Sequence, residues 1–297
     1  MNKKIYELLE IFISLFPNQI LIIGISASRG KSLAYSKLLY RFAIRNMRRS
    51  LYFMMGGTEA KRIAGEPKHV KLYSNYKVIY VETQAMYRLL VDAGMSNIEI
   101  FPNCRKRPSK KMSLIKTSKP LRCVFFSRIE PKKGTDIILS IADKCENIEF
   151  YFYGQIDSDY KSEFLEGINN YKNVYYKGMF TETGDKLYQE LAKYDILLLP
   201  TKWKTEGVPG ILIESKIAGI PAIVSDIAYM RDIVDDGIDG YLVSNLNKEI
   251  VEHLYHLTQS MSELDILKDN ARKSADKYYI DLYEDMIVNK IKDAYTI

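Results

Sequence analysis

No run of 18 consecutive apolar residues occurs in this 297-residue chain, so the sequence contains no candidate for a membrane-spanning helix. Its opening segment does not read as a secretory signal either, because Glu7 and Glu10 interrupt the apolar stretch KKIYELLEIFISLF. Cysteine is scarce. Cys104, Cys123 and Cys145 form no paired motif, which excludes a disulfide framework and a zinc pattern and suits a reducing cytosol. The three histidines, His69, His253 and His256, lie at no predicted strand end, and neither an internal repeat nor a low-complexity tract is present. What remains is a globular composition, 47% hydrophobic, long enough for two compact domains or one large one.

Negative charge is scarce in the first part of the chain. Residues 1–119 hold 22 Lys and Arg against 7 Asp and Glu, whereas residues 120–297 hold 21 against 30. Arg41, Arg45, Arg48 and Arg49 fall on one predicted helix (32–48), and Arg105, Lys106, Arg107, Lys110 and Lys111 crowd a linker at 103–120. Each cation near an anionic membrane contributes about 1 kcal/mol of attraction, so the basic part is expected to dock on the inner membrane face; a solvated basic helix is the alternative.

Alternation of apolar runs with helical periodicity predicts strands at 20–24, 51–55, 78–81 and 98–101, with helices near 3–16, 32–48 and 84–93. After the linker, strands are expected near 123–128, 149–154, 174–177, 195–200, 221–225 and 240–243, alternating with helices, and the tail from about 246 is helical. The fold class is therefore α/β, with two doubly wound units.

Two segments carry candidate chemistry. In TEGVPGILIE, between two strands, Glu206 falls in the loop at a strand's C-terminal end and Glu214 inside the following helix, where open parallel sheets bind ligands. Glu214 sits among Ile211, Leu212, Ile213, Ile217 and Ala218, and a carboxylate there needs hydrogen-bond donors. Pro209 suits the first helical position, and Gly210 permits close backbone approach, so the helix start can face an anion while Glu214 accepts from hydroxyls. A capped helix with one internally satisfied glutamate is the bland alternative. In CVFFSRIEPKKGTDIILSIADK, Arg128 ends a strand, and Lys132, Lys133 and Gly134 stand at a helix entrance, which makes a diphosphate cradle or a solvated basic loop. GISASRGKS (24–32) imitates a P-loop, but its spacing is one residue too long and Arg29 stands where a glycine is needed. Asp157-Ser158-Asp159 reads as a cap for a helix near Tyr160, the strand tyrosines of YFY and YY as core, and Trp203 as a stacking residue or a lid.

FFSRIEPKKGTDIILSIA, FYGQ, VYYKGMF, YDILLLPTKWKTEGVPGILIESKIAGIPAIVSD and IVDDGIDGYLV occur in order between 124 and 243, and FPNCR precedes them. Together they resemble the retaining glycosyltransferases of family 4, which have the GT-B fold, and in particular bacterial polysaccharide-assembly glycosyltransferases. The resemblance implies two Rossmann-type domains facing a cleft: a shortened acceptor-side domain at 1–115, a nucleotide-sugar-binding domain at 116–280, and a terminal helix at 281–297 crossing back to the first. It makes Arg128 and Lys133 ligands of the donor diphosphate beside Gly134, and places Glu206 near the transferred sugar. Gly207, Val208, Pro209 and Gly210 would line sugar and phosphate, Met179 the base pocket, and Glu214 would hold the ribose.

The same resemblance implies transfer with retention from a nucleotide-sugar to a lipid-linked or oligosaccharide acceptor in cell-surface polysaccharide assembly, on the cytoplasmic side, with no metal, no cofactor and no nucleic-acid partner. Arg128, Lys133 and Glu206 would be the catalytic set. The sequence departs from the family in two places. No opening strand and glycine-rich loop precede ILIIG, and the family's N-domain histidine is absent. Either a partner subunit completes that domain, or the start of the chain is missing, or the protein is a non-catalytic nucleotide-sugar-binding subunit.

Overall fold

The structure, a computed structural model, describes residues 10–26, 30–110, 116–204 and 206–295. The chain forms two compact units. The first comprises residues up to Asn103, a short segment ending at Val208, and the chain from Asp281 onward; the second comprises Cys104–Lys204 and Pro209–Ile280. The expected linker thus belongs to the second unit from Cys104.

In the first unit, strands β1 (Ile22–Ser26), β2 (Leu51–Met55), β3 (Val78–Val81) and β4 (Ile98–Ile100) form a parallel sheet in chain order. The expected single helix at 32–48 is two: α1 (Lys31–Phe42) and α2 (Ile44–Met47), broken at Ala43, whose φ of −144° is not helical. Between β2 and β3 the sequence reading lacked two further helices, α3 (Gly57–Ala64) and α4 (Pro67–Tyr73); α5 (Gln84–Asp92) follows β3 as expected, its Thr83 side chain accepting from the Met86 amide. The N-terminal helical reading survives over residues 10–14, and its first part, like Ala27, Ser28 and Arg29 of the P-loop-like stretch, lies outside the described residues.

Crossovers that step in one direction along a parallel sheet put their helices on one face, which leaves the other face to be covered by something else. The last helix covers it. Met286, Ile287 and Ile291 of α12 (Glu284–Tyr295; the intervening helices are introduced below) pack on Leu51, Val78 and Tyr80, with Phe53 and Phe101 alongside. Arg49 Nε donates to the Ala294 carbonyl at 2.9 Å, and Lys290 pairs with Glu99 at 2.5 Å. On the opposite face, Glu59 of α3 is fully buried, yet its carboxylate accepts from Tyr52 and Tyr73 hydroxyls at 2.8 Å each and from Arg62 at 2.9 Å. Burial and the neighbouring Glu59 charge push the Tyr73 hydroxyl up to about 12, so these phenols stay donors.

The second unit holds a six-stranded parallel sheet: β5 (Leu121–Phe126), β6 (Ile148–Tyr153), β7 (Val174–Tyr176), β8 (Ile196–Leu199), β9 (Ala222–Ser225) and β10 (Gly240–Val243). Its spatial order is β7-β6-β5-β8-β9-β10, so the chain starts in the middle, winds out to one edge, returns, and winds to the other. That is the 3-2-1-4-5-6 order of dinucleotide-binding folds. Helices α6 (Thr135–Ile141), α7 (Lys161–Asn169), α8 (Asp185–Leu191), α9 (Gly210–Ala218), α10 (Leu246–Gln259) and α11 (Met261–Ser274) surround it. With both faces covered, β8 and β9 are buried at every position, as their unbroken apolar sequences require. Phe125, Phe152 and Phe164 form the aromatic centre of one layer, at ring separations of 5.7 and 5.3 Å. Tyr175, expected in the core, is exposed because β7 is an edge strand; it stacks on Tyr151 at 4.9 Å instead. Cys123 and Cys145 are buried free thiols, and burial pushes Cys145 up to about 11.

Candidate active site at the switch point of the second sheet

Chain direction reverses between β5 and β8, so the C-terminal ends of these two strands form the switch point, the place where such sheets bind ligands. The loop after β5 carries Arg128, Lys132, Lys133 and Gly134, and that after β8 begins with Pro200 and carries Trp203. Their mutual fit is tight. A Cβ on Gly134, which has φ of +83°, would lie 2.6 Å from the Pro200 carbonyl carbon and 2.7 Å from Pro200 Cγ. The Lys132 carbonyl accepts from the Lys202 amide at 2.8 Å and from Thr201 Oγ1 at 3.2 Å. Lys133 Nζ stands 5.1 Å from the centre of the Trp203 ring, within cation–π range.

The loop after β6 braces the other side. Ser127 and Ile129 amides donate to Tyr153 and Gln155 carbonyls, and Gly154 passes so close to the Ser127 carbonyl that no Cβ fits. Asp157 accepts from the Asp159 amide at 3.1 Å as the cap of a short 3-10 turn (Ser158–Tyr160) leading into α7, as the sequence indicated. It also pairs with Arg128, whose side chain is 60% exposed. Such an exposed pair contributes about 0–1 kcal/mol, so Arg128 can exchange Asp157 for a ligand anion at small cost. Met179 follows Gly178 (φ +80°) after β7 and is exposed.

Glu206 and Glu214 belong to different units. In the first unit, Gly207 packs against the ends of β2 and β3: a Cβ there would lie 2.9 Å from Gly56 Cα and 3.7 Å from Glu82 Oε2, and Glu82 accepts from the Gly56 amide at 3.0 Å. Asn103 Nδ2 holds the Val208 carbonyl at 3.1 Å. In the second unit, Pro209 is the cap of α9 with extended backbone (φ −64°, ψ 120°) rather than its first helical residue, which is Gly210. Glu214, half-buried, accepts from Arg105 Nε at 2.8 Å. Sequence reasoning missed this partner because Arg105 is 109 positions away and read as one charge in a basic linker. Tyr188 lies beside the pair; burial and the Glu214 charge push its hydroxyl up to about 12 against the opposing pull of Arg105.

A depression of about 710 Å³ lies at the opposite, N-terminal ends of β5, β6 and β7, bordered by Lys119, Glu146, Glu149 and Lys172. Its charges oppose one another across an open surface, and parallel sheets do not bind ligands at that edge, so the switch point is the stronger candidate. Among the described residues, no three His, Cys, Asp or Glu side chains gather as metal ligands, and no helix is long and apolar enough to cross a membrane.

Residues 120–260, which supply this sheet and both switch-point loops, match the family model described as "Glycosyl transferases group 1". Over those residues the chain is similar to a group 1 glycosyltransferase domain. Among curated relatives, the chain is 26% identical over 192 residues to a Klebsiella pneumoniae protein described as "Uncharacterized 41.2 kDa protein in cps region", covering 60% of the chain and 52% of that protein. It is 29% identical over 148 residues to the UDP-Gal:alpha-D-GlcNAc-diphosphoundecaprenol alpha-1,3-galactosyltransferase of Escherichia coli, covering 46% of the chain and 36% of that enzyme. The chain thus spans about half or less of the curated relatives it matches. Among solved structures, Anabaena Alr3699/HepE in complex with UDP superposes with a TM-score of 0.74 at 12% identity, covering 96% of this chain and 81% of that one. At that identity the likeness speaks for the fold alone, and the two-sheet α/β architecture of this chain is that of the GT-B class.

Proposed function

We propose that the protein transfers a sugar from a nucleoside-diphosphate donor to a lipid-linked or oligosaccharide acceptor, with retention of configuration, in the assembly of a cell-surface polysaccharide. The observation that carries this reading is the convergence of the Arg128–Gly134 loop and the Pro200–Trp203 loop at the switch point of a dinucleotide-type sheet. Breaking the bond between sugar and diphosphate leaves negative charge on the departing phosphate, while the sugar becomes oxocarbenium-like. Fixed cations must therefore face one side and a carboxylate the other. In this reading Arg128 and Lys133 neutralise the leaving group and Glu206 acts at the sugar. The amides from Gly207 to Gly210 line sugar and phosphate, Glu214 accepts from the ribose, and Met179 borders the base. The departing phosphate oxygen takes the acceptor's proton on the same face of the sugar, which gives retention.

The test is to incubate the protein with UDP-, GDP- and ADP-sugars and follow nucleoside diphosphate release by mass spectrometry. One donor class is expected to be consumed, and Lys133→Ala to lower its turnover by about 10², the scale for losing one preorganised partner of developing charge. Consumption of none, together with no binding of UDP, GDP or ADP, would refute the reading. The histidines favour a second reading: His69 is buried in α4 and His253 and His256 lie on α10, so none stands at the C-terminal end of a strand. Nucleoside diphosphate binding without turnover would select a non-catalytic or split-enzyme subunit that needs a partner.

The acceptor reading includes docking on an anionic membrane. Asn46 Nδ2 donates to the Ser14 and Phe16 carbonyls at 2.9 and 2.6 Å, which joins the exposed Phe12, Ile13 and Phe16 to the helices bearing exposed Arg41, Phe42, Arg45 and Arg48. Apolar side chains flanked by cations suit a headgroup boundary. Not every expected cation is available: Arg49 holds α12, Arg105 holds Glu214, and Arg107 lies 4.1 Å above the Tyr279 ring. Sedimentation with anionic vesicles is expected to exceed that with neutral ones and to fall in the double variant Arg41→Glu, Arg45→Glu.

A further inference from the structure

We propose that Glu82 is a positioning residue for sugar transfer: it holds the turn at Gly56 against which Gly207 lies, and through that contact sets where Glu206 presents its carboxylate. This deepens the transfer reading above and rests on it. Glu206, Gly207 and Val208 count with the first unit, although Lys204 before them and Pro209 after them count with the second. Glu206 therefore takes its place from the first unit, and two contacts show how. A Cβ on Gly207 would lie 2.9 Å from Gly56 Cα and 3.7 Å from both the Gly56 nitrogen and Glu82 Oε2, so the two glycines meet backbone to backbone with the carboxylate beside them. One residue on, the Val208 carbonyl accepts from Asn103 Nδ2 at 3.1 Å.

Glu82 follows β3, a strand buried at every position, and precedes Thr83, whose side chain accepts from the Met86 amide at 3.2 Å to start α5. Its backbone is thus fixed on both sides. From there Oε2 accepts from the Gly56 amide at 3.0 Å, a charge-assisted hydrogen bond that ties the end of β3 to the loop after β2. Gly56 has φ of +88° and ψ of 152°, a conformation essentially confined to glycine, and such a turn persists only where its surroundings over-determine it. Because a bare Cα faces a bare Cα, no flexible side chain takes up slack between positions 56 and 207. Any displacement of the Gly56 turn therefore passes to Gly207 and to Glu206 beside it. The transfer reading asks Glu206 to meet positive charge developing on the sugar, an interaction that weakens steeply once the carboxylate is about 1 Å out of place. Glu82 also braces the start of α3, but the segment it reaches through Gly56 is the one that carries the carboxylate assigned to the sugar.

The experiment separates the reach of Glu82 from its charge. Turnover, donor KM and nucleoside diphosphate affinity are measured for wild type, Glu82→Asp and Glu82→Gln, with whichever of the UDP-, GDP- and ADP-sugars the wild-type protein consumes. Glu82→Asp keeps the charge but withdraws the carboxylate by about 1.5 Å, beyond hydrogen-bond range of the Gly56 amide. Its kcat is expected to fall by about 10², the scale for a misplacement of about 1 Å, with diphosphate affinity within about twofold of wild type. Glu82→Gln keeps an acceptor in place, and its kcat is expected to stay within about fivefold of wild type because the hydrogen bond survives in its weaker neutral form. Unchanged kcat in Glu82→Asp would overturn the proposal. So would a loss of diphosphate affinity as large as the loss of kcat, which would make Glu82 a general brace of the fold. A loss of about 10² in Glu82→Gln would overturn it as well, since charge rather than reach would then govern the rate, and this near-isosteric variant gives the answer where Glu82→Asp does not fold. Wild-type turnover combined with any of these results refutes the role of Glu82 alone. Binding of a nucleoside diphosphate by the wild-type protein with no donor consumed would refute the transfer reading itself, and this inference with it.

Discussion

Gly134→Ala tests whether the loops leaving β5 and β8 set each other's position. Two costs arise. Alanine at φ +83° occupies the left-handed region, at about 1–2 kcal/mol. Its Cβ would also collide with the carbonyl group of Pro200, which is backbone at the end of β8 and cannot rotate away as a flexible side chain would. Overpacking of that kind adds about 1–3 kcal/mol. Gly237→Ala isolates the first cost, because Gly237 has φ +71° and open space around it, in the loop before β10 and hence at the other edge of the sheet. Urea denaturation is therefore expected to show Gly237→Ala less stable than wild type by about 1–2 kcal/mol, and Gly134→Ala lower again by about 1–3 kcal/mol. To relieve the overlap the loops must part by about 1 Å, a misplacement that costs about 10² in rate where reacting groups are held in register. The affinity for the nucleoside diphosphate is expected to fall with it. Equal unfolding midpoints for the two variants, with unchanged diphosphate binding in Gly134→Ala, would show that the two loops are independent.

Replacing Glu59 by Leu leaves the buried Tyr52 and Tyr73 hydroxyls and the partly buried Arg62 guanidinium without their shared acceptor, and the first unit is expected to lose about 3–5 kcal/mol in denaturant titration. His253, stacked at 4.0 Å on Tyr241, has its pKa lowered from 6.5 chiefly by burial, which outweighs the nearby Asp236, Glu249 and Glu252. Below pH 6.5 the unfolded chain takes up a proton that the folded state resists, so stability falls as pH drops from 6.5 towards the folded value. His253→Phe is expected to flatten that decline in melting temperature between pH 7 and about pH 5.5; an unchanged slope would assign it to other groups. Gly207→Ala, whose Cβ would press on Gly56 Cα, is expected to lower turnover more than nucleoside diphosphate affinity; measuring both in one preparation checks the difference.

The second sheet was readable because its strands are buried on both faces and announce themselves as unbroken apolar runs, as in ILLL and AIVS. β2, β3 and β10 fall where periodicity put them, whereas β1 lies two residues later, at the register that pairs Ile22 with Leu51. The helices α3 and α4 escaped because each is short, because Gly56, Gly57, Gly65 and Pro67 read as turn punctuation, and because the buried face of α3 carries a carboxylate. Pro67 in fact starts a helix, the position where its missing N–H costs nothing. Within the candidate site, the loop cations and glycines were legible from strand-loop-helix grammar. The Arg105–Glu214 pair was not, since it joins positions whose proximity exists only once the second unit has closed.

The dependence of the first sheet on α12 has a consequence for how this protein is made. Leu51, Val78 and Tyr80 leave the ribosome long before Met286, Ile287 and Ile291, and all of the second unit's sheet is synthesised in the interval. Until the final turns emerge, the early half-sheet presents a greasy, uncovered surface, a state prone to self-association. A nascent chain stalled or clipped before α12 should therefore be a client of chaperones even when the later domain has already matured.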